Sequence, residues 1–124
     1  MLANTKAFSA FAVGDLAQAR RFYAETLGIG VSEQHGMLTL NLACGHDVRL
    51  YQQPGYAPAT YTVLMFQVGD IGATVDELTR RGVQFERYHG MDQDERGITR
   101  GGGPFIAAWF KDPAGNLLEL LQER

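Results

Sequence analysis

Leucine alternates with other residues in "MLTLNL" (37–42), and apolar with polar or aromatic residues in "DVRLYQ" (47–52). A period of two is that of a strand with one buried face. Strands are predicted over 29–34, 37–43 and 48–53, with "QHGM" and "CGHD" as the turns between them. Further strands are predicted over 83–88, 104–111 and 117–122, the last two joined by a turn at "DPAGN". Two stretches carry a helical period instead. Leu16, Ala19, Phe22, Tyr23 and Leu27 share one face, as do Ile71, Val75 and Leu78.

The two helical stretches sit in a repeat. "FAVGDLAQARRFYAETLGIGV" (11–31) and "FQVGDIGATVDELTRRGVQF" (66–85) both run from a β-rich segment through Val-Gly-Asp into a helix, then to Gly and a new strand. The two Val-Gly-Asp sites are 55 residues apart, and the Asp-to-Gly gaps are 13 and 12. Such even spacing indicates two copies of one supersecondary unit. Asp15 and Asp70 fit helix N-caps, with Gln18 placed for a capping box, and Gly28 and Gly82 fit the left-handed stop. Each half reads as strand, helix, strand, strand, strand. The expectation is one domain over 1–124. Module one covers about 5–53, a linker about 54–60, and module two about 61–122.

The chain has 124 residues, 45% hydrophobic and 20% charged, enough for one core. Its net charge is −3 and it has no basic run, which argues against a nucleic-acid partner. The single Cys44 has no partner for an internal disulfide. No stretch reads as a signal peptide or a transmembrane span, so no membrane partner and a cytoplasmic setting are the expectations.

The segments "VGDLAQARRFYAETLGI" and "WFKDPAGNLLEL" resemble the two signatures of the vicinal oxygen chelate superfamily. That superfamily includes glyoxalase I, extradiol dioxygenases, fosfomycin-modifying enzymes and bleomycin-resistance proteins. With the repeat, the resemblance spans nearly the whole chain. It implies an α+β fold of two βαβββ modules, whose curled mixed sheets surround a cleft with the helices outside. It also implies a divalent metal held by residues on the first and last strands of the modules. The first-strand position, seven residues before the capping Asp, falls on Phe8 and on Val63. The last-strand positions fall on Arg49 and Glu119. Only Glu119 of these four is a metal ligand, so the expectation is no metal and no other cofactor. Thr62 is expected to turn away from the cleft by strand alternation.

If Arg49 and Glu119 point inward, alternation places Phe8, Asn41, Tyr51 and Gln53 on their face in module one. In module two it places Met65, Gln67, Phe105 and Trp109 beside Glu119. Aromatic walls with a few amides and charges suit a small-molecule pocket. Arg49 is expected either to pair with Glu119 or to clamp an anionic group of a substrate. His35, His46 and His89 read as solvated turn residues, and Asp92, Asp94 and Glu95 as a solvated acidic lid. The resemblance then implies a metal-free binder of a small molecule, an antibiotic or aromatic metabolite, acting as a homodimer. The alternative is a lyase, isomerase or dioxygenase-like enzyme of the same superfamily, with Glu119 as base or metal ligand.

Overall fold

Asp15 and Asp70 begin the two helices by the expected chemistry. The Asp15 carboxylate accepts from the Gln18 N–H at 3.0 Å, and that of Asp70 from the Ala73 N–H at 3.0 Å. A computed structural model describes residues 1–101 and 103–124, and all of Cys44 but its side chain. Gly102, in the polar stretch 89–103, lies outside the described residues. The chain forms two compact units, Met1–Ala57 and Pro58–Arg124.

Unit 1 runs β1 (Ser9–Val13), α1 (Leu16–Arg21), β2 (Gly30–Gln34), β3 (Met37–Asn41) and β4 (Asp47–Gln52). Beyond Arg21 the helix widens into a π turn over Phe22–Thr26. The wider turn accompanies the full burial of the Tyr23 ring, which meets Phe22 edge-on and tilts against Phe11. Gly28, at φ 70°, then reverses the chain. The four strands form one mixed sheet in the order β1-β4-β3-β2, with β1 parallel to β4. Phe11, Val13, Leu38, Leu40, Val48 and Leu50 are buried on one face, with Ala19 and Tyr23. The other face carries the row Ala10, Arg49, Thr39 and Ser32, then the row Ala12, Tyr51, Met37 and Gln34.

Unit 2 runs β5 (Thr62–Gln67), α2 (Ile71–Arg80), β6 (Phe105–Lys111) and β7 (Leu117–Glu123). Its sheet has the order β5-β7-β6, with β5 parallel to β7. Ile71, Val75 and Leu78 bury the helix face against Ala108, Phe110, Leu118 and Leu120. Neither sheet is closed.

The α+β class holds, but module two departs from the expected βαβββ pattern. Residues 83–88 do not form a strand. They meet β6 through one bridge, Phe85 to Phe110, and one bond from the Glu86 N–H to the Trp109 carbonyl at 2.7 Å. The reason lies in Gln93. Its side-chain amide takes the Tyr88 N–H and the Glu86 carbonyl, groups a continuing strand would need, and also donates to the Gly97 carbonyl. Thr99 then pairs with Ala107 on β6. Two short pieces therefore occupy the β6 edge.

A second tie recurs in both units. Gln52, three residues after Arg49, accepts from the Leu16 N–H at 3.2 Å. Gln122, three residues after Glu119, accepts from the Ile71 N–H at 2.8 Å. The last strand of each unit thus caps the first turn of its own helix, satisfying a donor that the helix leaves open.

The "DPAGN" turn closes on itself. Asp112 and Asn116 are buried, and the Asp112 carboxylate accepts from the Asn116 backbone N–H at 2.8 Å and from its amide at 3.1 Å. Replacing Asn116 with Ala removes its amide bond to a buried carboxylate, at a cost of about 1–3 kcal/mol. Thermal unfolding of Asn116→Ala is expected several degrees below the parent. An unchanged Tm would show that the turn does not need this bond.

Candidate functional site

Glu119 occupies the middle of β7, with Met65 of β5 opposite it on one side and Trp109 of β6 on the other. Its Oε1 accepts two hydrogen bonds. The Trp109 indole N–H donates at 2.9 Å and the Thr62 hydroxyl at 3.2 Å. Both donors are neutral, and hydrogen bonds to a charged group contribute about 1.5–3 kcal/mol each. A half-buried carboxylate is thereby compensated within its own sheet.

Thr62 reaches this face because β5 bulges. Thr62 pairs with Leu117 and Leu64 with Leu118, so Val63 is an extra residue between them. One added residue reverses the alternation before it. This corrects the sequence reading, in which Val63 faced Glu119 and Thr62 turned away.

Beside the carboxylate Met65 is open, at 57% exposure. Phe105, 41% exposed, lies at the far end of β6, opposite Glu123 and four residues from Trp109. The Tyr88 ring stands edge-on to Trp109, centroids 5.8 Å apart. Burial pushes the Tyr88 phenol above its ordinary pKa, and the negative charges of Glu86 and Glu119 push it further. The phenol therefore remains a neutral donor. Gln67 is exposed at the far end of β5, level with Leu121. Thr62 and Tyr88 were missed in the sequence. A bulge has no residue signature in "TYTVLMF", and Tyr88 falls where a strand was expected.

In unit 1 the structure brings Phe8 and Arg49 together. The guanidinium lies 3.9 Å over the Phe8 ring centroid. Lys6, which the sequence reading passed over, places its Nζ 5.2 Å from the same centroid. Tyr51 lies one row along from Arg49, between Ala12 and Met37. Asn41 is exposed opposite Asp47, and Gln53 is exposed just past β4.

The donors present do not fit the metal that the resemblance implies. Glu119 is surrounded by an indole, a hydroxyl and a thioether, and Arg49 is itself a cation. Among the described residues, no group of three or more His, Cys, Asp or Glu side chains is placed to hold a metal ion. His35, His46 and His89 are exposed, His35 in the turn between β2 and β3.

Asp92 and Glu95 of the acidic stretch are exposed, but Asp94 is tied into the fold and is not part of a free lid. Ile98 is buried to 1% exposure and anchors the stretch. Arg96 bonds Asp76 and the Gly72 carbonyl of α2. Asp94 accepts from the backbone N–H groups of Arg96 and Ile98 and pairs with Arg100. Burial alone would raise the Asp94 pKa. The bonds from Ile98, Arg96 and Arg100 outweigh it and hold the carboxyl below its ordinary value. A hollow of about 190 Å³ lined by Asp92, Gln93, Asp94, Ile98 and Arg100 opens beside this network.

The sequence profile of one family, described as the Glyoxalase/Bleomycin resistance protein/Dioxygenase superfamily, matches residues 7–120. No match is found among curated protein sequences. Solved structures share the fold. A glyoxalase family protein from Bacillus anthracis is 18% identical, with both chains covered in full and a TM-score of 0.73. TnmS3, an antibiotic binding protein from Streptomyces sp. CB03234, is 23% identical over 98% of each chain, with a TM-score of 0.69. The fosfomycin resistance protein FosX from Mesorhizobium loti is 12% identical over 98% of this chain and 93% of its own, with a TM-score of 0.67.

Two titrations check these networks. The raised Tyr88 pKa favours the neutral phenol in the folded state. Its contribution is complete below the ordinary value of 10.0 and is lost as pH rises through the raised value. An NMR titration of the Tyr88 ring is expected to show a midpoint above 10.0 that moves down in Glu119→Gln. A midpoint unmoved by that change would remove Glu119 as a cause. Asp94 has the opposite sign. Its contribution is present above the ordinary value of 3.8 and is lost as pH falls through the lowered folded value. Amide exchange at Arg96 and Ile98 should accelerate only below that range, and at neutral pH in Asp94→Asn.

Proposed function

The chain belongs to the Glyoxalase/Bleomycin resistance protein/Dioxygenase superfamily, and within it we propose a binding protein that holds a small aromatic or apolar molecule without a metal. One observation carries the reading. Glu119, the one side chain suited to a metal among the positions the resemblance marks, is engaged by the Trp109 indole and the Thr62 hydroxyl. A carboxylate fixed by neutral donors on an apolar face can anchor a polar group of a ligand. Trp109, Met65 and Tyr88 offer the polarizable walls that bind its carbon skeleton, with Phe105 farther along β6. The antibiotic-binding description of TnmS3 and the fosfomycin-resistance description of FosX support a ligand of antibiotic size.

The same reading includes a cytoplasmic homodimer. Tyr61 is 72% exposed and Met65 57%, two large apolar side chains of unit 2 open to a second copy of the chain. Among the described residues, no helix is long and apolar enough to cross a membrane.

Trp109 is the only tryptophan, so its fluorescence reports on this face directly. The test is a fluorescence and thermal-shift panel of aromatic antibiotics, glutathione conjugates, and Ni, Zn, Mn and Fe salts. An aromatic compound is expected to quench Trp109 saturably and raise the Tm, with no shift from the metals. Trp109→Ala should weaken that binding about 30-fold, a loss of about 2 kcal/mol. Stabilisation by a metal alone, together with turnover lost in Glu119→Gln, would replace this reading with the enzymatic one.

A further inference from the structure

Unit 1 carries a concentration of positive charge that its own fold does not neutralise. Arg49 and Lys6 both approach the Phe8 ring, at 3.9 and 5.2 Å from its centroid. An aromatic face attracts cations but supplies no counter-charge and no acceptor. The Nε of Arg49 is buried and has no hydrogen-bond partner. A buried donor left in that state is costly, and its explanation is sought in an absent acceptor. Among the described residues of unit 1, the salt bridge joins Arg20 to Glu33 and includes neither cation. Asp47 shares the Arg49 face, and no salt bridge joins the two. The residue opposite Arg49 on β1 is Ala10, followed along that face by Ala12, so small side chains leave room beside the guanidinium.

We propose that Lys6, Phe8 and Arg49 form a site for the carboxylate of a small aromatic acid. The planar guanidinium matches a carboxylate in shape and charge, Lys6 adds a flexible point charge, and the space over Ala10 and Ala12 admits a flat ring. A compact phosphate suits the site less well. It presents a higher charge and more acceptors than one fork and one ammonium satisfy, and it leaves the apolar space unfilled. The site concerns unit 1 alone and stands whether or not the Trp109 face binds a ligand.

Benzoate is the probe, with benzamide as its neutral counterpart of the same shape and inorganic phosphate as the compact anion. The full chain is titrated while the Arg49 Nε–H resonance is followed by NMR and the Tm by thermal shift. Benzoate is expected to move the resonance saturably and raise the Tm, and benzamide and phosphate to do neither. Lys6→Met should weaken benzoate about fivefold, as fits an exposed cation. Arg49→Met should abolish the response, and Arg49→Lys, which keeps the charge but loses the fork, should restore part of it. If Arg49→Met does not fold, the Lys6→Met and Arg49→Lys titrations decide. Equal responses to benzoate and benzamide would overturn the site. So would competition by phosphate, or full benzoate affinity in Lys6→Met. Failure of benzoate alongside intact quenching of Trp109 by a neutral aromatic compound would overturn this site and leave the proposed function standing.

Discussion

In each unit, the parallel pairing of the first strand with the last is the constraint on which the rest depends. A parallel pair cannot be closed by a tight turn, so the chain must cross over through a helix. The cross-over places Ala10 beside Arg49 and Met65 beside Glu119. The same pairing carries Gln52 and Gln122 to the starts of α1 and α2, where each accepts a free backbone N–H. Strand register and helix position are therefore fixed by one arrangement. A slip by one residue would turn Arg49 and Glu119 into the apolar face and expose Leu50 and Leu118.

Given that frame, the chemistry of each open face follows from what stands next to the charge. Glu119 has donors on both sides in its own sheet, Trp109 from β6 and Thr62 from β5. Arg49 has Ala10 and Thr39 across the strands and Phe8 stacked on it, and its Nε bonds to nothing. The two repeats share a backbone plan yet end with a satisfied anion in one and an unsatisfied cation in the other. The superfamily frame is thus retained while its metal chemistry is not supported by these side chains.

The β6 edge shows how the fold manages an exposed strand. In place of a full strand, Phe85 and Thr99 each make one bridge to it. The segment between them is held by Gln93, Asp94 and Arg96, and Ile98 fills the core. A broken, twisted cover of this kind satisfies the edge without presenting a continuous ladder to other chains.

The sequence by itself determined the repeat, the caps at Asp15 and Asp70, the glycine stops, and the parity that buries Leu38, Leu40, Val48 and Leu50. These are local signals, set by the period of each element and by the backbone donors at its ends. The α+β class and the cleft-facing place of Glu119 came instead from the family resemblance of the two motif segments. Only the tertiary structure decided the partners. The bulge at Val63 brought Thr62 to Glu119, and the side chain of Gln93 replaced a strand at 83–88. It also stacked Lys6 and Arg49 on Phe8. Each of these depends on which neighbouring group competes for a given hydrogen bond or ring face. That competition is settled across the sheet, between residues far apart in the chain, and leaves no period for the sequence to display.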